Sequence, residues 1–165
     1  MEIRSAVQRD IPDLVALKRQ CWEETYRGIY PDEKIDTFRP DRHAERFQFL
    51  IEDPDRHLFI AEVEGCAAGY VEYGLPLRPF CTFQREIGLL YLLREFQHKG
   101  YGKQLFCLGR DAIYREGERQ FFVSCNKYNI PAIAFYKRMG GCIIHTDPDQ
   151  EDCAIRQIKL LYTPM

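Results

Sequence analysis

A chain of 165 residues, 45% hydrophobic and 29% charged, has the size and balance of one globular domain. Such a chain buries about 70% of its unfolded surface, so it needs no metal or disulfide for stability. A formal net charge of −2 offers no field for nucleic acid, and no apolar run reaches the roughly 18 residues of a membrane helix. The opening MEIRSAVQRD lacks the apolar centre of a signal peptide, and seven scattered cysteines without a C-x-x-C pair argue against a zinc site or a disulfide framework. These features predict a cytoplasmic enzyme or binding protein, one domain over 1–165, with its cysteines as small buried hydrophobes.

In chain order, Glu2 to Ala6 alternates as a strand does. Asp10 suits a helix cap and Pro12 a first turn, and Ile11, Leu14, Val15, Lys18 and Trp22 follow helical spacing. That helix fades near Gly28, and short pieces follow from Pro31 to Phe38. A second helix is predicted from Pro40 to Glu52, ended by Asp53-Pro54-Asp55. His57 to Val63 and Ala67 to Leu75 then read as strands around a Glu64-Gly65 turn. A loop over 76–82 leads to a long strand from Gln84 to Leu93. A helix from Gly100 to Arg115, a buried strand from Gln120 to Cys125 and a short helix from Ile130 to Met139 follow. Gly140-Gly141 closes that helix. Cys142 to Thr146 and Ala154 to Tyr162, around an acidic turn DPDQED, are the last two strands.

The sharpest signal is Gln97-His98-Lys99-Gly100-Tyr101-Gly102, between an apolar strand and an amphipathic helix. Glycines there allow a tight turn and a close backbone approach, and amides at a helix start attract an anion. Lys99 and Lys103 add positive charge. No Gly-Lys-Ser/Thr of a P-loop is present, and Leu105 stands where a dinucleotide fingerprint needs its third glycine.

This run resembles the Gln/Arg-x-x-Gly-x-Gly/Ala motif of the GNAT superfamily of N-acetyltransferases. The stretch REIGLLYLLREFQHKGYGKQLF is similar to that family's strand, loop and helix. Downstream, Asn129, Ala132, Phe135, Tyr136 and Gly140 match a second family pattern. The resemblance implies an α/β (α+β) acyl-CoA N-acyltransferase fold, with a mixed central sheet of about six to seven strands and helices on both faces. It implies acetyl-CoA as co-substrate and no metal. The diphosphate would lie on Gln97, His98, Lys99, Gly100, Tyr101, Gly102 and Lys103. The pantetheine arm would meet Leu92, Leu93 and, from the other side, Asn129, which also suits a helix cap. One departure is Gly141, where the family places an aromatic residue, so a looser helix end is expected.

An attacking amine with a pKa near about 10.4 is protonated at neutral pH and needs a base. Glu86, eleven positions before Gln97, resembles the family's glutamate. Strict alternation puts Glu86, Gly88, Leu90 and Leu92 on one face. The resemblance makes Tyr136 the acid that protonates the departing sulfur, and a backbone N–H near Leu92 the stabiliser of an oxyanion. Trp22, Glu23, Glu24, Thr25, Tyr26, Tyr30, Glu72 and Tyr73 combine aromatic rings with acids, as a cationic amine requires. Trp22, Tyr26, Tyr30 and Glu72 are the substrate candidates. CWEETYRGIYPDEKI is loosely similar to small-amine and polyamine acetyltransferases, and also to relatives that modify peptide N-termini. The expected partner is a small-molecule amine, with no nucleic acid or membrane; a homodimer stays open. A non-catalytic acyl-CoA sensor is the rival reading, and the presence of Glu86 and Tyr136 argues against it.

Overall fold

A computed structural model describes residues 1–148 and 156–164. One seven-stranded sheet runs through it: β1 (Glu2–Ser5), β2 (Arg56–Val63), β3 (Cys66–Gly74), β4 (Glu86–Leu92), β5 (Phe121–Asn126), β6 (Cys142–Thr146) and β7 (Gln157–Tyr162). The order across the sheet is β1-β2-β3-β4-β5-β7-β6. Every neighbouring pair is antiparallel except β4 and β5. The mixed sheet matches the expected fold class. The expected start of the last strand at Ala154 and most of the acidic turn lie outside the described residues.

Helices α1 (Ile11–Tyr26) and α3 (Pro40–Glu52) pack on one face with Leu58, Ile60 and Tyr70; the short α2 (Asp32–Asp36) lies between them in sequence. Helices α4 (Tyr101–Arg115) and α5 (Ile130–Arg138) cover the other face with Val71, Ile87, Phe121 and Leu160. Fully burying one such side chain contributes about 1.5–3 kcal/mol. No helix among the described residues is long and apolar enough to cross a membrane.

Local chemistry sets the boundaries. Pro40 opens α3 at its first position, and Asp53, extended at ψ 116° before Pro54, closes it. Between β2 and β3, Glu64 and Gly65 both have positive φ, 53° and 80°, the backbone of a two-residue hairpin turn. Asp10 corrects its expected role. It precedes α1 but makes no side-chain cap to it; its carboxylate accepts two hydrogen bonds from Arg4 and one from the Val7 amide. The end of α5 is not loose. Gly140 N donates to Lys137 O and Gly141 N to Tyr136 O, a closed terminus that seats buried Gly141 against Tyr162. The cysteines are mixed: Cys21 and Cys125 are buried, whereas Cys66, Cys81 and Cys142 are exposed.

Two irregularities position the site. β4 and β5 pair only at Glu86↔Phe122 and Ile87↔Val123 and then part, leaving an opening beyond. β4 also bulges: Glu72 faces Leu89 and Tyr73 faces Ile87, so Gly88 has no opposite residue. The bulge shifts the side-chain phase and corrects the strict alternation. Ile87, Leu90 and Leu92 join the core under α4 and α5, whereas Leu89 and Tyr91 join the core under α1 and α3. A Cβ on Gly88 would point at Glu72, so Glu86, two residues earlier, shares the α1–α3 face with it.

Candidate active site

After β4 the chain makes a turn at Arg94–Phe96. The Gln97 side chain donates to Leu92 O at 2.9 Å and ties the following loop to the strand end. His98 and Gly100 then adopt left-handed backbone, φ 60° and 84°, which turns successive amides to one side. The first bond of α4 runs from Gln104 N to Gly100 O at 3.2 Å. The amides of Tyr101, Gly102 and Lys103 therefore have no acceptor inside the helix, and the positive end of its dipole adds to them. His98, Lys99 and Lys103 are exposed around this cradle. A Cβ at Gly102 would meet Phe135 and Leu92 only at 3.6–3.9 Å, so the protein itself leaves that turn open. Open amides beside parted strands fit a diphosphate with a long linear arm. Leu93 N already bonds Ala68 O at 3.0 Å and Leu92 O holds Gln97, so two backbone groups expected at the pantetheine have protein partners.

Several side chains converge where the strands part. Tyr26 and Tyr30 stack at 4.3 Å, and Trp22 meets both rings edge-on at 6.2 and 5.8 Å. The Tyr26 phenol faces Tyr91 on β4, and that of Tyr30 faces Asn126 on β5. Cys125 lies among them, its thiol pushed up to about 12 by burial. Tyr136 approaches from the other face of the sheet. Burial, with Cys125, Tyr162 and Tyr91 nearby, holds its phenol well above the ordinary value, so it stays protonated at neutral pH. Asn129 caps α5 through Ala132 N at 3.2 Å, so one of its two expected roles is structural.

Glu86 is 7% exposed and accepts a hydrogen bond from Ser124 Oγ at 2.8 Å. Ser124 Oγ in turn accepts from Lys159 Nζ at 2.6 Å, and Lys159 lies 5.6 and 5.3 Å from the Phe80 and Phe122 rings. Arg85 turns away to Glu116 at 2.8 Å. Glu72 departs from its expected part. It is fully buried, 2.5 Å from Arg56, and is not a free anion for a ligand. Burial pushes its carboxyl up to about 7 against the pull of Arg56. Glu23 and Glu24 are engaged too, by Arg27 at 2.5 Å and by the Arg94 amide at 2.9 Å.

Sequence reading missed Tyr91, Ser124 and Lys159 at this site and passed over the buried Lys18 on α1 and the partly buried Arg46 on α3. Tyr91 carried a signal, an aromatic residue six positions before Gln97. Lys18 sat on an apolar helical stripe, where a lysine invites a question. Ser124 and Lys159 gain meaning only from the β5–β7 pairing, Ser124↔Lys159.

Comparison with known proteins bears on the family and the fold. The family model described as "Acetyltransferase (GNAT) family" matches residues 14–141. A spermidine N(1)-acetyltransferase of Thermoplasma acidophilum is 25% identical over 154 residues, covering 89% of this chain and 91% of that protein. The crystal structure of a PaiA N-acetyltransferase from Thermoplasma acidophilum in complex with coenzyme A superposes with a TM-score of 0.81 at 21% identity, over 99% and 98% of the two chains. A ribosomal-protein-alanine N-acetyltransferase of Brucella melitensis gives 0.76 at 20% identity, over 99% and 100%.

Proposed function

Because the chain belongs to the acetyltransferase (GNAT) family and is an acetyl-CoA-dependent N-acetyltransferase, we propose that its acceptor is the primary amine of a small molecule, polyamines included, with Glu86 as base and Tyr136 as acid. One observation supports the reading: Glu86, in the last paired stretch before β4 and β5 part, and Tyr136, near Cys125 and Tyr91 beyond it, flank the opening from opposite faces of the sheet. The similarity to a spermidine acetyltransferase supports an amine acceptor.

Acetyl-CoA supplies the acetyl group as a reactive thioester. The amides of residues 98–103, with Lys99 and Lys103, hold its diphosphate; the Gln97 amide is already given to Arg94 O. Gln97, bonded to Leu92 O, keeps that loop in register with the strand end. The Glu86 carboxylate takes the proton that the ammonium must lose before it attacks, with Ser124 fixing the carboxylate's orientation. The Tyr136 hydroxyl gives a proton to the sulfur as coenzyme A leaves. The rings of Trp22, Tyr26 and Tyr30 wall the acceptor side, where they exclude water and offer apolar faces to an amine.

Calorimetry with acetyl-CoA, followed by thiol release with a panel of amines and free-N-terminus peptides, tests the reading. Binding, and thiol release with small amines, are expected. Release with peptides alone would overturn the small-molecule acceptor, and absence of binding would overturn the cradle.

A further inference from the structure

The acids that the sequence offers to a cationic acceptor are all engaged. Glu23 pairs with Arg27, Glu24 holds the Arg94 amide, Glu72 meets Arg56, and Glu86 reaches Lys159 through Ser124. Beside them, among the described residues, α1 and α3 carry two cations for which no carboxylate pair is formed.

Lys18 on α1 is 8% exposed. No carboxylate among the described residues pairs with its ammonium, which lies 5.7 Å from the Trp22 ring centre and 5.6 Å from that of Phe47. Arg46, across on α3, is partly buried. It feels Glu72 and Glu86 at a distance and is opposed by Arg56; its close contact is the Phe49 ring at 5.4 Å. His43 on α3 packs on Trp22 at 5.3 Å and Phe38 at 4.2 Å. Asp41 faces His43 but is held by Arg39 at 2.6 Å.

Burying a cation without a partner is costly, and two that face each other cost more. Both groups record that cost. Burial and Arg46 lower Lys18 to about 8, and burial and Lys18 lower His43 to about 4. A neutral His43 keeps one N–H to donate. A ligand anion would pair with the lysine and the arginine at once. The place also has the right neighbours: Trp22 joins it to the tyrosines at the strand opening, and Arg46 lies within reach of the field of Glu86.

We propose that Lys18, His43 and Arg46 form an anion subsite that binds an acidic group of the acceptor, so that the substrate is an amine that also carries a carboxylate or phosphate. The proposal rests on the small-amine reading above and parts from its polyamine version, since a second ammonium would meet Lys18 and Arg46.

Matched pairs of amines test it: lysine with cadaverine, tyrosine with tyramine, and O-phosphoethanolamine with ethanolamine. Thiol release at saturating acetyl-CoA gives kcat/KM for each member. The acid-bearing member of at least one pair should be favoured roughly 10–100-fold, mainly through KM. The pair that shows it separates carboxylate from phosphate. Lys18→Met, which keeps the stem against Trp22 and Phe47, and Arg46→Gln should each collapse that ratio towards unity. A thermal melt verifies that each variant is folded, and either variant alone decides. Turnover of the amines with no preference for the acidic member, or a preference that either folded variant retains, overturns the subsite and leaves the small-amine reading standing. Calorimetric silence of every member with the coenzyme A-loaded protein, together with no thiol release, overturns both.

Discussion

Gly88→Ala puts one methyl group into the bulge of β4. Its Cβ would stand 2.6 Å from Glu72 Oε2 and 2.9 Å from Arg56 Nη2. Neither neighbour is the loose end of a surface side chain: Glu72 is fully buried, and Arg56 is 4% exposed and also donates to Leu75 O. The methyl group must push the strand aside or separate a buried ion pair. Overpacking costs about 1–3 kcal/mol, and breaking a buried pair about 3–5 kcal/mol. The lower range applies if the backbone gives way. In a domain of this size each kcal/mol lowers Tm by roughly 2–4 °C, so a calorimetric melt should show a loss of about 2–12 °C if the backbone gives way and about 6–20 °C if the pair separates. Gly102→Ala is the control. Its Cβ meets only ordinary contacts at 3.6 Å and beyond, so Tm should hold while coenzyme A binding weakens, because the methyl group enters the cradle. A Gly88→Ala protein that melts with the wild type would refute the bulge as the device that seats the ion pair and turns Glu86.

Glu86→Gln keeps the shape of the side chain and removes the base. Turnover with a cognate amine should fall about 10²–10⁴-fold and recover in part at high pH, where free amine is plentiful; a wild-type rate at neutral pH would end the assignment. Asn129→Ala removes the α5 cap, and denaturant titration should show a loss of about 1 kcal/mol. Glu72 titrates near 7 in the folded protein against 4.5 when exposed, so between those values the native state binds more protons than the unfolded one. The Glu72 contribution to stability should therefore fall as pH rises from 4.5 to 7 and level off above, while His43, lowered by burial and Lys18 to about 4 from 6.5, contributes a rise over the overlapping window. Melts of both proteins across the range isolate the first contribution: the wild type should lose stability relative to Glu72→Gln between pH 4.5 and 7.

Much of this was legible because the governing signals are local. Pro40 and Asp53-Pro54 mark the ends of α3, Glu64-Gly65 marks the hairpin, and the glycine loop shows itself by residue type between an apolar strand and a helix. The phase of β4 was not legible. A glycine inside a strand signals either a bulge or a close approach, and here it is both, but only the register with β3 and the position of Glu72 reveal it. The acids misled for a similar reason. Glu24 and Arg94 are seventy residues apart, and Glu86, Ser124 and Lys159 come from three strands, so which charges cancel is a property of topology. Asp10 shows this at short range, its cap position overridden by an arginine on β1.

The most direct test of the account is the steady-state kcat of Tyr136→Phe with a verified amine acceptor. The substitution removes one hydroxyl and leaves the ring packed on Phe106 and Phe135. The hydrogen bond from Tyr162 ends on the Tyr136 backbone carbonyl, so it survives the change. The expected protein is folded, binds acetyl-CoA as the wild type does and turns over far more slowly, with the defect in kcat rather than KM. An unchanged kcat would mean that the sulfur takes its proton from water or another group, and that Tyr136 is a packing residue.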